Sequence, residues 1–158
     1  MSKYMPPKPK AIKLTQEKLD QSKIEKIKLE KTRKEILIRL QTAREMGDLS
    51  ENGAYTAAKF ELRDTDRKLR LLNRLIRWGK VVKSKHDGIV DFDSIVILKN
   101  SQKQVKYHLV SGFESDPEKG KLSAYSPLGK AILGKKKGDS IELETPNGQI
   151  SYKIILVE

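Results

Sequence analysis

Two changes of pattern along the chain predict an α+β protein in two parts, an antiparallel coiled-coil hairpin of helices followed by a small antiparallel sheet with one helix packed on it, and the charge divides at the same place. Apolar or small residues recur at alternating steps of three and four through Tyr55, Ala58, Leu62, Thr65, Leu69, Leu72 and Ile76, and the stretch from Thr15 to Met46 holds neither Pro nor Gly. After Trp78-Gly79 the pattern changes to short alternating or apolar runs bounded by turn residues. The charge is one-sided: 22 basic and 11 acidic residues precede Ser84 against 11 and 10 from there on, so +11 of the net +12 lies in the first part. Helical periodicity followed by strand periodicity is what segregated helices and sheet produce.

Taken in order, residues 1–11 carry Pro6, Pro7 and Pro9 among lysines. They are expected to form a flexible basic arm, because they offer too little apolar surface to offset the entropy of ordering. The hairpin is expected over 12–80. Thr15 can cap its first helix, with Glu17 in the first turn where the helix dipole favours an acid. Leu29, Ile36, Leu40 and Ala43 sketch a seam along that helix, interrupted by Arg33 and blurred upstream. Two helices joined by a few residues bury such seams against each other, and some 30 residues make a rod about 45 Å long. Gly47 suits the end of the first helix and Ser50 the cap of the second. This puts Asp48 and Glu51 at the tip, 47–52.

From 85 to 158 the strands are expected at 94–98, 105–110, 121–125, 140–144 and 149–157. Pro146-Asn147-Gly148 marks a hairpin between the last two. Ser126-Pro127 starts a short helix over 128–133, with Ser as the cap, Pro in the first position and Gly134 as the end.

The 158-residue chain has no cysteine, which removes disulfides and thiolate metal sites and fits a reducing cytoplasm. No apolar run approaches the roughly 18 residues that span a bilayer, and no apolar segment follows the basic N-terminus. A cytosolic protein without membrane contact, monomeric, is expected. Residues 129–136 nearly spell a phosphate-binding loop, but Lys136 stands where the magnesium-holding Ser/Thr is needed. His86 and His108 lack partners at metal-ligand spacing, and no nucleophile and base pairing is evident. What remains is the positive charge. Arg63, Arg67, Lys68, Arg70, Arg74 and Arg77 fall mostly off the seam of the second helix, with Arg44 and Lys59 near the tip. Singly each suits a wet coiled-coil face; together they form a stripe suited to a polyanion. The two acids at the tip equally satisfy local helix-end chemistry.

Gly47-Asp48-Leu49-Ser50-Glu51-Asn52 followed by Tyr55, and preceded by Ala43-Arg44-Glu45, resembles the tip of the Gre transcript cleavage factors. Ser126-Pro127-Leu128-Gly129-Lys130-Ala131-Ile132-Leu133-Gly134-Lys135 with Gly138-Asp139, and then Thr145-Pro146-Asn147-Gly148, are similar to the same family's second domain. The resemblance runs from about residue 12 to the end, and the basic second helix looks more like GreB than GreA. It implies an N-terminal coiled coil and a C-terminal FKBP-like domain that docks on RNA polymerase through the segment at Tyr125, Ser126 and Pro127. The coiled coil then enters the polymerase's secondary channel, where the tip stimulates cleavage of backtracked RNA.

In this reading the chain is an accessory factor, not an enzyme alone. Asp48 and Glu51 help hold a second Mg²⁺, shared with the polymerase, and position the attacking water. Arg44, Lys59, Arg63, Arg67 and Arg70 meet the backtracked RNA 3′ end. Two positions depart from the family pattern: Ala54 stands where a third acid is usual, and Tyr125 where Asp or Asn often precedes the Ser-Pro. The competing expectations are a channel binder that modulates the polymerase without cleavage, a prolyl isomerase or chaperone built on the second domain, and a simple RNA- or DNA-binding rod. With three Phe and one Trp in the whole chain, an aromatic proline pocket is poorly supplied.

Overall fold

The computed structural model describes residues 11–46, 53–85, 87–146 and 148–158; the tip at 47–52 with Asp48 and Glu51, residues 1–10, His86 and Asn147 lie outside them. Two compact units divide the chain. One contains Leu19–Gly79, and the other combines Lys13–Lys18 with Lys80–Glu158. The first turn of the first helix therefore groups with the second unit.

Helix α1 spans Gln16–Glu45 and helix α2 spans Gly53–Trp78. Thr15 caps α1 as expected, its Oγ1 accepting the Lys18 N–H at 3.2 Å. In the first unit the two helices run antiparallel. Arg33 Nε donates to Asp66 Oδ1 and Arg39 Nη2 to Glu61 Oε2, both at 2.7 Å, so residue numbers rise on one helix as they fall on the other. On α2 the buried residues are Ala58, Thr65, Leu69, Leu72 and Leu75. Leu75 takes the last buried step in place of the expected Ile76, which is half-buried. On α1 Ser22, Ile36 and Ala43 are buried, with Lys26, Leu29, Arg33 and Leu40 half-buried between them. Those positions keep the alternation of four and three, so the seam continues upstream through polar side chains. That is why its apolar signal faded there.

A two-stranded ladder joins β1, Ile12–Leu14, to β2, Gly79–Val81. The second unit holds β3 Ile95–Lys99, β4 Gln104–Val110, β5 Lys121–Ser123, α3 Pro127–Ile132, β6 Ser140–Thr145 and β7 Gly148–Val157, with sheet order β5-β4-β3-β7-β6. β3 pairs antiparallel with β4 and with β7, and β6 with β7. β3 buries alternate residues, Val96 and Leu98, and these pack with Val90, Leu109, Ile132, Ile141 and Ile154 in one core cluster. Ile132 contributes the α3 side of this core.

One strand departs from expectation. β5 runs parallel to β4, with His108 opposite Lys121 and Val110 opposite Ser123. The chain leaves β4, passes a 3-10 turn at Pro117–Lys119 and returns in the same direction. Gly120 makes the return possible: its φ is +67° and a Cβ there would stand 2.9 Å from the Lys106 carbonyl oxygen, a conformation and a clearance that favour glycine. The strand also stops at Ser123 instead of Tyr125, because Ser126 N–H turns back to the Ser123 carbonyl at 3.0 Å. Thr145 pairs with Gly148 across the expected β6–β7 hairpin.

Candidate functional site

In the first unit, at the end of the hairpin nearest residues 47–52, two predicted site residues, Arg44 and Lys59, come together on the seam residue Tyr55. Tyr55, in the first turns of α2, lies with the Arg44 guanidinium 5.7 Å and the Lys59 ammonium 6.0 Å from its ring centroid. Lys59 reaches the ring because four residues along a helix is one face, and Arg44 comes from the last turn of α1. Cations over an aromatic face gain about 0.5–1 kcal/mol at exposed sites. Hydrogen bonding from Arg44, supported by the charges of Arg44 and Lys59, holds the Tyr55 phenol below its ordinary pKa. Tyr55 is thus more than the seam residue its spacing suggested: it organises two cations beside the tip.

Further along α2, Arg63, Arg67 and Arg70 are exposed and line one shallow groove with Phe60, Asp64 and Asp66. They are not equivalent. Arg67 and Lys68 both bind Asp64, whose carboxyl is held below its usual range first by the Lys68 hydrogen bond and then by that of Arg67. The groove also contains a residue that sequence reasoning missed, Phe60. The signal was present as an aromatic off the seam and one turn from an arginine.

In the second unit the expected docking segment is a tightly built helix start. Ser126 Oγ accepts the Gly129 N–H at 3.0 Å and donates to the Ser123 carbonyl at 2.7 Å. Pro127 occupies the first helical position, where its missing N–H costs nothing. Gly129 packs so closely that a Cβ would lie 2.1 Å from the Ser123 oxygen. This fixed frame leaves Tyr125, 63% exposed, and Pro127 on the surface.

The second unit also holds a buried carboxylate that the sequence did not single out. Glu114 accepts the Thr15 N–H and the Ser111 hydroxyl at 3.0 Å each, and the Thr15 hydroxyl on its other oxygen. Lys121 adds an ion pair to Glu17 at 3.1 Å. Glu114 is a structural clasp on the start of α1. His108, which the sequence left without a metal-ligand partner, meets Asp93 at 2.7 Å. Asp48 and Glu51 lie outside the described residues, and among those described no group of three or more His, Asp or Glu forms a metal-binding set. No helix among them is long and apolar enough to cross a membrane.

Two known families match the chain in succession. Residues 12–81 match the one described as "Transcription elongation factor, N-terminal", and residues 84–158 the one described as "Transcription elongation factor, GreA/GreB, C-term". Among curated relatives, the chain is 34% identical over 129 residues to "Transcription elongation factor GreA" of Bacillus licheniformis, covering 79% of this chain and 82% of that protein. It is 35% identical over 130 residues to the protein of the same name from Geobacillus kaustophilus, covering 80% and 82%. Among solved structures it is similar to GreA factor homolog 1 (Gfh1) of Thermus thermophilus, with 23% identity, a TM-score of 0.46, and 94% of this chain and 99% of that one covered.

Proposed function

We propose, since the chain belongs to the GreA/GreB family of transcription elongation factors, that it acts on RNA polymerase by entering the secondary channel with its helical hairpin and stimulating cleavage of backtracked RNA. The observation that carries this reading is the sequence Gly47-Asp48-Leu49-Ser50-Glu51-Asn52 linking two antiparallel helices, with Arg44 and Lys59 gathered on Tyr55 beside it. Phosphodiester hydrolysis needs charge stabilisation at the attacking and leaving oxygens, which a second metal ion supplies. Asp48 and Glu51 are hard oxygen donors of the kind Mg²⁺ takes, and one or two carboxylates suffice when phosphate oxygens and water complete its shell. The pair would hold that ion jointly with the polymerase, and Glu51 would also orient the attacking water.

Two carboxylates approaching an RNA end meet repulsion from its phosphates. Arg44 and Lys59 beside the tip, then Arg63, Arg67 and Arg70 along α2, offset it and draw the transcript to the hairpin in a salt-sensitive way. The segment at Tyr125, Ser126 and Pro127 supplies the docking contact. The polymerase performs the hydrolysis and this chain completes its site, so the chain is an accessory factor in the cytoplasm.

A second reading rests on Ala54, which by the family resemblance takes the place of a third tip acid: the chain occupies the channel and slows synthesis without cleavage. One assay separates the two. A stalled, backtracked complex is incubated with wild type or D48A/E51A over a magnesium titration. Shortening of the RNA by wild type, lost in D48A/E51A, is the expected result; slowed synthesis with no shortening by wild type supports the second reading.

A further inference from the structure

Phe60 is 64% exposed on α2 and off the buried seam. A lone exposed apolar side chain is ordinary; what sets Phe60 apart is the charge around it. Its groove is completed by Arg63, Asp64, Asp66, Arg67 and Arg70. Both carboxylates are already neutralised. Asp64 is held by Arg67 and by Lys68 at 2.8 Å, and Asp66 by Arg33 at 2.7 Å. Arg63 and Arg70 have no carboxylate partner among the described residues. Counting the groove and its ion-pair partners, five cations (Arg33, Arg63, Arg67, Lys68, Arg70) face two carboxylates.

An exposed ring beside two uncommitted guanidinium groups suits one ligand chemistry best. Single-stranded nucleic acid offers a flat base for the ring and phosphates for the arginines, and proteins that bind it combine these two elements. A duplex hides its base faces and would use only the arginines. An apolar protein partner covering Phe60 would strip water from Arg63 and Arg70 with no counter-charge, which is costly. Phe60 lies about 10 Å along α2 from the helix's first residue, Gly53, at the usual helical rise. It is therefore on the stretch of hairpin next to the tip.

We propose that Phe60 is a stacking platform for a nucleobase of single-stranded RNA whose flanking phosphates rest on Arg63 and Arg70. This rests on the proposed function for the RNA's being there, and adds the group that grips a base. The sequence tolerance of stacking suits a factor that meets any transcript, because every base has a π face.

The test is fluorescence anisotropy of a short labelled oligoadenylate with the full chain at low salt, with inorganic polyphosphate as a base-free competitor. F60A is expected to weaken oligoadenylate binding about tenfold, the loss of one stacked base. The affinity for polyphosphate, obtained from the competition after correcting for the weaker probe, is unchanged in F60A, F60W restores oligoadenylate binding, and R63Q/R70Q weakens both ligands. Unchanged oligoadenylate affinity in F60A, an F60W as weak as F60A, or an equal loss for polyphosphate overturns the proposal. The outcome is independent of the cleavage assay. Loss of cleavage in D48A/E51A with F60A binding unchanged removes only the stacking role, and a stacking effect without tip-dependent cleavage removes only the cleavage function.

Discussion

Replacing Gly129 by alanine would put a methyl carbon 2.1 Å from the Ser123 carbonyl oxygen. That oxygen is backbone and already accepts from Ser126, so the helix start must shift. G129A is expected to destabilise the second unit by about 1–3 kcal/mol, the usual cost of overpacking, read as a lower urea midpoint. The tyrosines report their surroundings just as directly. Arg44 hydrogen bonding holds the Tyr55 phenol below 10.0, while burial, with Tyr152 added, pushes Tyr107 above it. A phenol with a depressed folded pKa adds stability only at alkaline pH, once the unfolded chain would also ionise. One with a raised pKa contributes stability that is complete below the unfolded value and lost as pH rises through the folded one. A phenolate absorbance titration should therefore show one early step, which R44A moves to higher pH. Y107F should reduce the stability lost above about pH 10.

At the scale of elements, the helices show what a sequence can carry and where it stops. α2 was legible because its seam is built from Leu and Ala at regular steps, and α3 because Ser126 and Pro127 announce a helix start. The upstream seam of α1 was not, because Ser22, Lys26 and Arg33 occupy it. Arg33 is understood only through Asp66 on the other helix, a partner that periodicity within α1 does not reveal. The parallel β5 was hidden for a similar reason: strand direction is set by the route through residues 111–120, not by the apolar pattern of 121–123. The candidate site divides the same way. The basic stripe was read from the charge pattern, and the role of the tip acids, which lie outside the described residues, from the resemblance; the clasp of Glu114 on Thr15 joins positions far apart in the chain and leaves no local trace. Ser22 supplies a test at this scale. Its hydroxyl is buried and has no hydrogen-bond partner among the described residues, which is unfavourable, and alanine is the better helix former. S22A should raise the hairpin's stability by about 1 kcal/mol in thermal or urea unfolding; no gain would show that the hydroxyl finds a partner in solution.

Over the whole molecule, the charge separates two tasks that the proposed function joins. The residues before Ser84 carry 22 bases against 11 acids, and the acids Asp48 and Glu51 fall in sequence between Arg44 and Lys59. If the stripe serves to hold RNA and the tip serves the chemistry, salt and substitution should distinguish them. Each single-strand phosphate neutralised contributes about 0.7 to the slope of log affinity against log salt. The variant K59Q/R63Q/R70Q removes three exposed cations, so its affinity for a backtracked complex should be weaker and its slope shallower by about 2. D48A/E51A removes no cation. Its slope should be at least as steep as wild type, because two like charges facing the RNA are gone, while cleavage is lost. Competition binding over a salt series, alongside RNA cleavage on the same complexes, reads both quantities. A triple variant with the wild-type slope would place the RNA elsewhere, and a tip variant with a shallower slope would mean the acids act through binding instead of through the metal.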